Sequence, residues 1–147
     1  MRTRSRLAVL ATVAGLAASF LVASPAAAAE PFSPKCEGDR VIRCVRLDVT
    51  GAGAVAIASV TDDQSDSWNY DVTVSEVELQ VWRGGYWETI RQASGDAGWQ
   101  VEWDRAVTSG GGCDNVFRVS AYIYWRAVGG TSTGGRMLSE GAAVNCQ

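Results

Sequence analysis

The sequence predicts an all-β domain built as an antiparallel sandwich of two sheets with about seven strands. Apolar residues alternate with polar ones on a period of two through most of the chain after residue 30, which is the pattern of half-buried strands. Clusters of glycine, serine and aspartate interrupt this alternation at short intervals, and no long stretch holds a helical period. Short strands separated by such turns are typical of sandwiches.

The first 29 residues have the three-part layout of a secretory signal peptide. Three arginines precede an uncharged apolar run from Leu7 to Val22, and small residues follow up to Ala29. This run is shorter than the roughly 20 residues that a membrane-spanning helix needs. We therefore expect cleavage after Ala29, secretion to the extracellular space, and a single domain over residues 30–147 with no membrane insertion after cleavage.

The charge balance of the exported part argues against two classes of partner. The chain has 13 basic and 16 acidic residues; three of the basic ones lie in the signal, which leaves ten and a formal net charge of −6. The exported part has one lysine and no basic cluster. Such a chain has little to replace the counterions around phosphates, so we expect neither nucleic acid nor an anionic membrane surface as a partner.

The first strands follow from simple alternation. Val45, Leu47 and Val49 alternate with charged residues, and a glycine-containing turn leads into a strand marked by Val55 and Ile57. An acidic loop comes next. It offers oxygen ligands for calcium, but their spacing fits no EF-hand and we expect no metal there; these residues are Asp62, Asp63 and Asp66.

A change of parity predicts a β-bulge in the following strand. Two sets of apolar residues take opposite parities: Trp68, Tyr70, Val72 and Val74 first, then Val77, Leu79 and Val81. Because a side-chain face cannot change parity within a regular strand, we place a bulge near Ser75–Glu76.

Alternation also marks the last strands. Trp99, Val101 and Trp103 alternate with Gln100, Glu102 and Asp104, and we expect these carboxylates on a solvent face. The longest strand has one apolar face and one mixed face; they consist of Phe117, Val119, Ala121, Ile123 and Trp125, and of Arg118, Ser120, Tyr122, Tyr124 and Arg126. A glycine-rich loop, Gly129–Gly135, then leads into a final strand over Met137–Cys146.

Four cysteines lie in the exported part, and an even count in an oxidising compartment indicates two disulfides among three pairings. Antiparallel pairing of the last two strands brings Cys113 near Cys146, which leaves Cys36 and Cys44 to close a small N-terminal loop. The competing interpretation is a zinc site. The cysteine spacing does not match one, and the chain contains no histidine.

The segment around Gly84-Gly85 predicts a β-hairpin with a two-residue turn. A type I′ turn fits, since glycine accepts the positive φ needed at both central positions. The pairs predicted outward from the turn are Arg83 with Tyr86, Trp82 with Trp87, Val81 with Glu88, Gln80 with Thr89, Leu79 with Ile90 and Glu78 with Arg91. Parity then places both tryptophans on the solvent face, at a non-hydrogen-bonded pair where side chains approach closely.

Two segments of the chain carry a resemblance to a known class of domain. "VELQVWRGGYWETI" and "NVFRVSAYIYW" resemble the C–C′ hairpin and the F strand of fibronectin type III and related immunoglobulin-like domains. With its arginine- and alanine-rich signal, the chain resembles small secreted immunoglobulin-like proteins of actinobacterial type. The resemblance implies an immunoglobulin-like sandwich, but this fold carries no function with it. The flanking cysteines depart from ordinary fibronectin type III modules.

The tryptophan hairpin has two interpretations. The two rings can simply stabilise the hairpin under the cover of a neighbouring segment. Alternatively they form a recognition patch, because tryptophan and arginine are enriched at binding hot spots and exposed aromatic clusters are rarely left uncovered. The candidate ligand-binding residues are Trp82, Arg83, Tyr86 and Trp87, extended by Tyr122 and Tyr124 if their strand lies alongside.

The sequence argues against most catalytic chemistry. "GTSTG" matches the nucleophile-elbow pattern around Ser132, but it lies in a loop between strands and no histidine is present to act as the base. Two carboxylate pairs, one at residues 76 and 78 and the other at 102 and 104, share strand faces as glycosidase residues can. On solvent faces such residues usually serve solubility, so we expect no enzyme and no cofactor.

These observations together favour a secreted, non-enzymatic binding protein that recognises a polysaccharide or a cell-surface protein through the aromatic hairpin. Two alternatives remain open. One is an inhibitor of a secreted enzyme, in which Ser109–Gly112 or Gly129–Gly135 enters the target's cleft. The other is a passive component of a cell envelope or coat.

Overall fold

A computed structural model describes residues 34–145 except 64 and 66, so the predicted signal peptide lies outside the described residues. The described part of the chain forms nine strands and no helix. In chain order they are β1 Lys35–Glu37, β2 Val41–Thr50, β3 Gly53–Asp62, β4 Tyr70–Trp82, β5 Trp87–Ala93, β6 Trp103–Gly110, β7 Asn115–Ala127, β8 Thr133–Leu138 and β9 Ala142–Val144.

The strands form two antiparallel sheets packed face to face, as predicted. One is a four-stranded sheet in the order β1-β2-β3-β6. The other is a five-stranded sheet in the order β5-β4-β7-β8, in which β9 also pairs with β7. The sequence predicted about seven strands; the two additional ones are the three-residue β1 and the division of the final strand into β8 and β9.

The core between the sheets is filled by the inward side chains of the long strands. Its fully buried members include Val45, Leu47, Val72, Val74, Val77, Leu79, Val81, Phe117, Val119 and Ile123. The inner face of β3 consists mainly of Ala54, Ala56 and Ala58. These small side chains let β3 pack closely against β4 and β7. Val55 and Ile57, which marked this strand in the sequence, therefore lie on the outer face.

The predicted bulge in β4 is confirmed. The register against β7 shifts between Val74 and Glu76, so Ser75 is the extra residue. Its hydroxyl donates a hydrogen bond to the Tyr122 carbonyl oxygen at 3.2 Å. The bulge lets both halves of β4 direct their valines into the core, because it resets the side-chain parity.

The strand predicted over Trp99–Asp104 is wrong in extent and in facing, because β6 begins at Trp103 and continues to Gly110, into the segment predicted as a turn. Trp103 and Val101 are 57% and 66% exposed, whereas Asp104 is buried. The parity is reset because the chain changes sheets here: Gln100 pairs with Val72 of the five-stranded sheet, and Trp103 begins the pairing with β3. Burial of the Asp104 carboxylate is offset by three backbone N–H donors, from residues 74, 96 and 105, at 2.7, 3.0 and 2.8 Å.

The last predicted strand is broken at Ser139. The Val119 N–H donates to the Ser139 hydroxyl oxygen at 2.8 Å, and the Ser139 N–H donates to the Val119 carbonyl oxygen at 3.0 Å. A side chain thus replaces a ladder hydrogen bond, and the chain resumes pairing with β7 as β9.

One of the two predicted disulfides is confirmed. Cys36 and Cys44 occupy facing positions of β1 and β2 and are bonded to each other, which fits an oxidising compartment. Cys113 is also disulfide-bonded, but its predicted partner, Cys146, lies outside the described residues. The backbone around it agrees with the predicted pairing, since the N–H of residue 114 donates to the Val144 carbonyl oxygen at 2.7 Å.

Between residues 34 and 145, with 64 and 66 left aside, no helical segment has the length and hydrophobicity that a bilayer crossing requires.

Candidate recognition surface

The turn of the β4–β5 hairpin contains two residues, as predicted, but its type differs. The Arg83 N–H donates to the Tyr86 carbonyl oxygen at 3.0 Å, which pairs the two residues that flank the turn. Gly84 has a φ of 74°, whereas Gly85 does not have a positive φ. This is the pattern of a type II′ turn, not type I′, because type II′ needs a positive φ only at the first central position.

The register of the hairpin follows the prediction near the turn and departs from it farther away. The confirmed pairs are Trp82 with Trp87, Val81 with Glu88 and Gln80 with Thr89. Beyond them the register shifts: Leu79 pairs with Arg91 and Glu78 pairs with Gln92, so the predicted pairing of Leu79 with Ile90 and of Glu78 with Arg91 is wrong. The shift lets Ile90 pack against the core.

The tip of the hairpin displays aromatic rings to solvent. Tyr86 is 62% exposed and Trp82 is 41% exposed, whereas Trp87 is partly buried. The two tryptophan rings pack with their centroids 5.2 Å apart and their planes tilted by 57°. Arg83 forms an ion pair with Glu88 at 2.7 Å. We call these four predicted residues, Trp82, Arg83, Tyr86 and Trp87, the aromatic tip.

Trp87 is the anchored member of the aromatic tip. The Arg118 guanidinium lies over its ring, with the central carbon 4.3 Å from the ring centroid. The backbone at Gly141 approaches it as well, because a Cβ built there would come within 3.1 Å of the ring. Arginine stacking and close packing hold the ring in place, so Trp87 supports Trp82 and leaves it available for contact.

A hydrogen-bonded network extends from this anchor across the outer face of the five-stranded sheet. Arg118 donates to the Gln80 side-chain oxygen at 2.8 Å. The buried Gln80 amide nitrogen in turn donates to Glu78 at 2.8 Å and to Thr89 at 3.2 Å. Because every polar group of the Gln80 side chain has a partner, the network fixes the base of the hairpin.

The network continues along β7 and β8. Arg136 donates to the Ser120 hydroxyl at 2.9 Å and lies 3.9 Å from the Glu78 carboxylate. Its guanidinium also lies over the Tyr122 ring, at 5.9 Å from the centroid. At the far end of the sheet, Arg126 pairs with Asp71 at 3.1 Å and lies over Trp99 at 4.3 Å.

Two groups in this network have shifted pKa values. Burial raises the pKa of Glu76, and both a hydrogen bond with Glu78 and the charge of Glu78 raise it further. Burial lowers the pKa of Arg118, and the nearby charge of Arg136 lowers it further, while Glu78 acts in the opposite direction.

Tyr122 and Tyr124 lie on the same outer face, but not at the aromatic tip. They are partly buried, and they pair with β4 on the two sides of the Ser75 bulge, Tyr122 with Glu76 and Tyr124 with Thr73. On β7, Tyr122 is six residues from Val116, which lies beside Trp87, so about 20 Å of strand separates the two places. The structure thus brings four of the six candidate residues together and places the two tyrosines elsewhere on the outer face, with Tyr122 under Arg136.

The sequence interpretation missed the residues that hold the aromatic tip. Gln80, Arg118 and Arg136 were not singled out, although the parity of β4 and β7 already placed the first two on the face of the tryptophans. The signal that could have identified Gln80 and Arg118 is that their parity places them on the same face as the two tryptophans. Which arginine covers which ring depends on the pairing of β4 with β7, which the sequence does not specify.

The other motifs of the sequence are spread over the molecule. Ser132 is exposed in the loop between β7 and β8. In the acidic loop, Asp62 accepts a hydrogen bond from the Tyr70 N–H at 3.0 Å, and Asp63 accepts one from the Ser65 N–H at 3.1 Å; Asp66 lies outside the described residues. Within the described part of the chain, no three His, Cys, Asp or Glu side chains are grouped so that they could hold a metal ion.

The two loops considered for an inhibitor differ in exposure. In the first, Ser109–Gly112, the first two residues end β6, and a Cβ at Gly111 would overlap the Phe117 ring, so this segment is packed against the core. Residues 129–132 of the second are exposed, next to Val128, which is 71% exposed.

The sequence matches no model of a known protein family. No curated protein is significantly similar to it either.

Proposed function

We propose that this chain is a secreted, non-catalytic binding protein that recognises an extracellular partner through the aromatic tip. The observation that carries the proposal is the contrast between Trp87, which is anchored under Arg118, and its neighbours Trp82 and Tyr86, which are 41% and 62% exposed. Rings held on a rigid base lose little conformational entropy on binding, which is a property of hot-spot residues.

The tilt of the rings narrows the kind of partner. A flat, crystalline polysaccharide surface is best matched by coplanar rings, but the Trp82 and Trp87 planes meet at 57°. Rings at this angle instead suit a convex group, such as a single sugar ring of a soluble glycan chain or an apolar ridge of a cell-surface protein. The Arg83–Glu88 ion pair beside them offers polar contacts at the rim.

Binding of the purified domain to whole cells and to isolated cell-envelope material tests the proposal. We expect Trp82→Ala and Tyr86→Ala each to weaken binding at least about tenfold, as hot-spot truncations do. The matched control is Trp68→Ala, because Trp68 is 56% exposed and precedes the opposite end of β4. Far-ultraviolet circular dichroism and thermal unfolding check that each variant folds.

Treatment of the envelope material separates the two classes of partner. Periodate oxidation destroys glycans, and protease digestion destroys proteins, so loss of binding after one treatment identifies the class. Equal binding by wild type, Trp82→Ala and Tyr86→Ala would contradict a role for the aromatic tip.

A further inference from the structure

Arg105 differs from most basic residues of the described part of the chain. Ion pairs or side-chain hydrogen bonds hold Lys35, Arg43, Arg46, Arg83, Arg91, Arg118, Arg126 and Arg136. The exposed Arg105 guanidinium has neither within that part. The exported chain has 16 acidic and ten basic residues, so carboxylates outnumber the cations that they can pair with. A guanidinium that stays unpaired under this surplus is available to an anion from outside the chain.

Arg105 borders a depression on the outer surface of the four-stranded sheet, with a volume of about 410 Å³. Its lining consists of Pro34, Cys44, Arg46, Ile57, Ser59 and Arg105. Arg46 lies on β2 and Arg105 lies on β6, so the two arginines approach the depression from the two sides of β3. Among the described residues no carboxylate contributes to this lining, and the depression therefore attracts anions.

Arg46 is paired at one end only. Its Nη2 atom donates to the Asp48 carboxylate at 2.9 Å, whereas its Nε atom is buried and has no hydrogen-bond partner in the described part of the chain. Asp48 balances the charge of Arg46, but no described carboxylate pairs with Arg105. The two arginines thus leave one net positive charge and one unpaired N–H group beside the depression. An incoming carboxylate supplies a partner for both.

An aromatic ring lies next to the depression. Trp103 projects from the same face of β6 as Arg105, about 7 Å away along the strand, and is 57% exposed. On β3, Thr61 faces Trp103 and Ser59 faces Arg105. Two hydroxyl groups therefore stand beside the indole and the guanidinium.

We propose that this surface binds an acidic saccharide, with a uronic acid residue as the group that is recognised. The pyranose ring stacks on the Trp103 indole, and its carboxylate pairs with Arg105 at the mouth of the depression. A uronic acid carries its carboxylate at the edge of the ring, so one sugar reaches both side chains. The sugar hydroxyls then lie over Thr61 and Ser59, whose hydroxyl groups both donate and accept hydrogen bonds.

The chemistry of a sheet face favours a saccharide over a peptide or a nucleic acid. Backbone N–H and C=O groups lie in the plane of the sheet, so this face offers a ligand side chains alone. A peptide bound here would have to leave its own backbone groups without backbone partners, whereas sugar hydroxyls match Thr61 and Ser59. Nucleic acid needs several cations spaced along its phosphates, and one of the two arginines here is already paired with Asp48.

The proposed saccharide site is separate from the aromatic tip. Trp103 and Arg105 belong to the four-stranded sheet, and the aromatic tip belongs to the five-stranded sheet. The two sites can therefore be tested independently, and failure of the saccharide site would leave the role proposed for the aromatic tip unaffected.

Titration of the exported chain with a galacturonic acid tetramer, followed by isothermal calorimetry, tests the proposal. We expect a Kd of about 0.1 to 1 mM. The methyl ester of the same tetramer keeps the rings and removes the charges, so it should bind at least tenfold more weakly. A peptide of four glutamates keeps the charges and removes the rings, and it should also bind at least tenfold more weakly. Equal binding of the tetramer and either control would overturn the proposal.

Substitutions locate the site. Trp103→Ala and Arg105→Gln should each raise the Kd for the tetramer at least fivefold, and both side chains are exposed, so the melting temperature should not change. The matched control is Arg91→Gln, because Arg91 is also exposed but lies on β5 of the other sheet; it should leave the Kd within twofold. A Kd that Trp103→Ala and Arg105→Gln leave unchanged, but that Trp82→Ala raises, would assign the tetramer to the aromatic tip and overturn the proposal.

Asp48→Asn tests the part of Arg46 through a gain of binding. The substitution removes the carboxylate that competes with the ligand for Arg46, so it should lower the Kd for the tetramer two- to fivefold. Damage to the fold would not tighten binding. A Kd that is unchanged or higher in Asp48→Asn would contradict the pairing of the ligand with both arginines.

Discussion

The two sheets of this sandwich treat their outer faces in opposite ways. On the five-stranded sheet, three arginines lie over aromatic rings and join a network of hydrogen bonds and ion pairs. On the four-stranded sheet, Trp103 lies exposed beside Thr61, and Val107 lies exposed beside Ile57. The comparison teaches that an outward tryptophan is covered or displayed according to the side chains that the neighbouring strands place beside it.

Strand pairing explains the contrast. Trp87 has Arg118 within reach because β7 lies beside β4, and the long arginine side chain covers the ring while its charge keeps polar partners. Trp103 has Thr61 beside it, and the next residue in its row is Ile42. Neither side chain is long enough or charged enough to cover an indole in this way, so the ring stays exposed.

The buried polar residues divide between the sheets as well. In the four-stranded sheet they are Asp62 and Asp104, which accept backbone N–H groups; in the five-stranded sheet they are the neutral Gln80 and Ser120, which lie beneath charged neighbours. One sheet thus satisfies its buried polar groups through the backbone, and the other through side chains. Substitutions at each kind of position sharpen this comparison.

The largest effect is expected from Asp104→Asn. The carboxylate accepts N–H groups from residues 74, 96 and 105, and an amide of the same shape would direct its NH₂ group at one or more of these donors. We expect a loss of about 2 to 4 kcal/mol in the free energy of unfolding. Urea unfolding followed by tryptophan fluorescence measures it. The control is Glu102→Gln at the exposed neighbouring position, which should change stability by less than about 0.5 kcal/mol.

The position of Asp104 also shows where prediction from sequence failed. Alternation identified the long strands other than β6, of which it marked only the start, and the parity change in β4 located the bulge at Ser75, because periodicity depends only on the chain's own side chains. At Asp104 the chain passes from one sheet to the other. Alternation has no meaning across such a crossing, and the burial of the carboxylate depends on donors brought by residues 74 and 96.

The candidate site divides in the same way. The facing of Trp82 and Trp87 follows from the two-residue turn, which is local, so the sequence predicted it correctly. The anchoring of Trp87 by Arg118 and the distance of Tyr122 from the tip depend on the register of β4 against β7. Residues 31 or more positions apart are involved, and no pattern within one strand specifies their alignment.

An intermediate effect is expected when matched substitutions are made on the two faces. Gln80→Ala removes a buried amide that joins Arg118, Glu78 and Thr89, and it should cost about 1 to 3 kcal/mol in the free energy of unfolding. Ser59→Ala, at an outward position of β3, should cost less than about 0.5 kcal/mol. Urea unfolding of both variants compares the faces directly. Equal losses would show that the network does not stabilise its sheet more than the outer side chains of the four-stranded sheet stabilise theirs.

The smallest effect concerns the pH dependence of the network. The pKa of Glu76 is raised by burial and by Glu78, so the folded state holds this proton more tightly than the unfolded chain does. The resulting stabilisation is present at acidic pH and is lost as the pH rises from the ordinary glutamate pKa through the raised one. Glutamine carries no charge, so Glu76→Gln should abolish this pH-dependent loss. It should increase the free energy of unfolding at neutral pH by a few tenths of a kcal/mol, which is the size of effect that surface substitutions have.

Glu78→Gln provides the contrast for that prediction. Glu78 accepts a hydrogen bond from Gln80 at 2.8 Å and lies 3.9 Å from Arg136, so neutralising it also weakens favourable contacts. Both variants should flatten the dependence of the melting temperature on pH above the ordinary glutamate pKa, but only Glu76→Gln should raise the melting temperature at neutral pH. If Glu76→Gln left the pH dependence unchanged, the carboxyl pair would not be a unit of the network, and the contrast between the two faces would rest on the arginines alone.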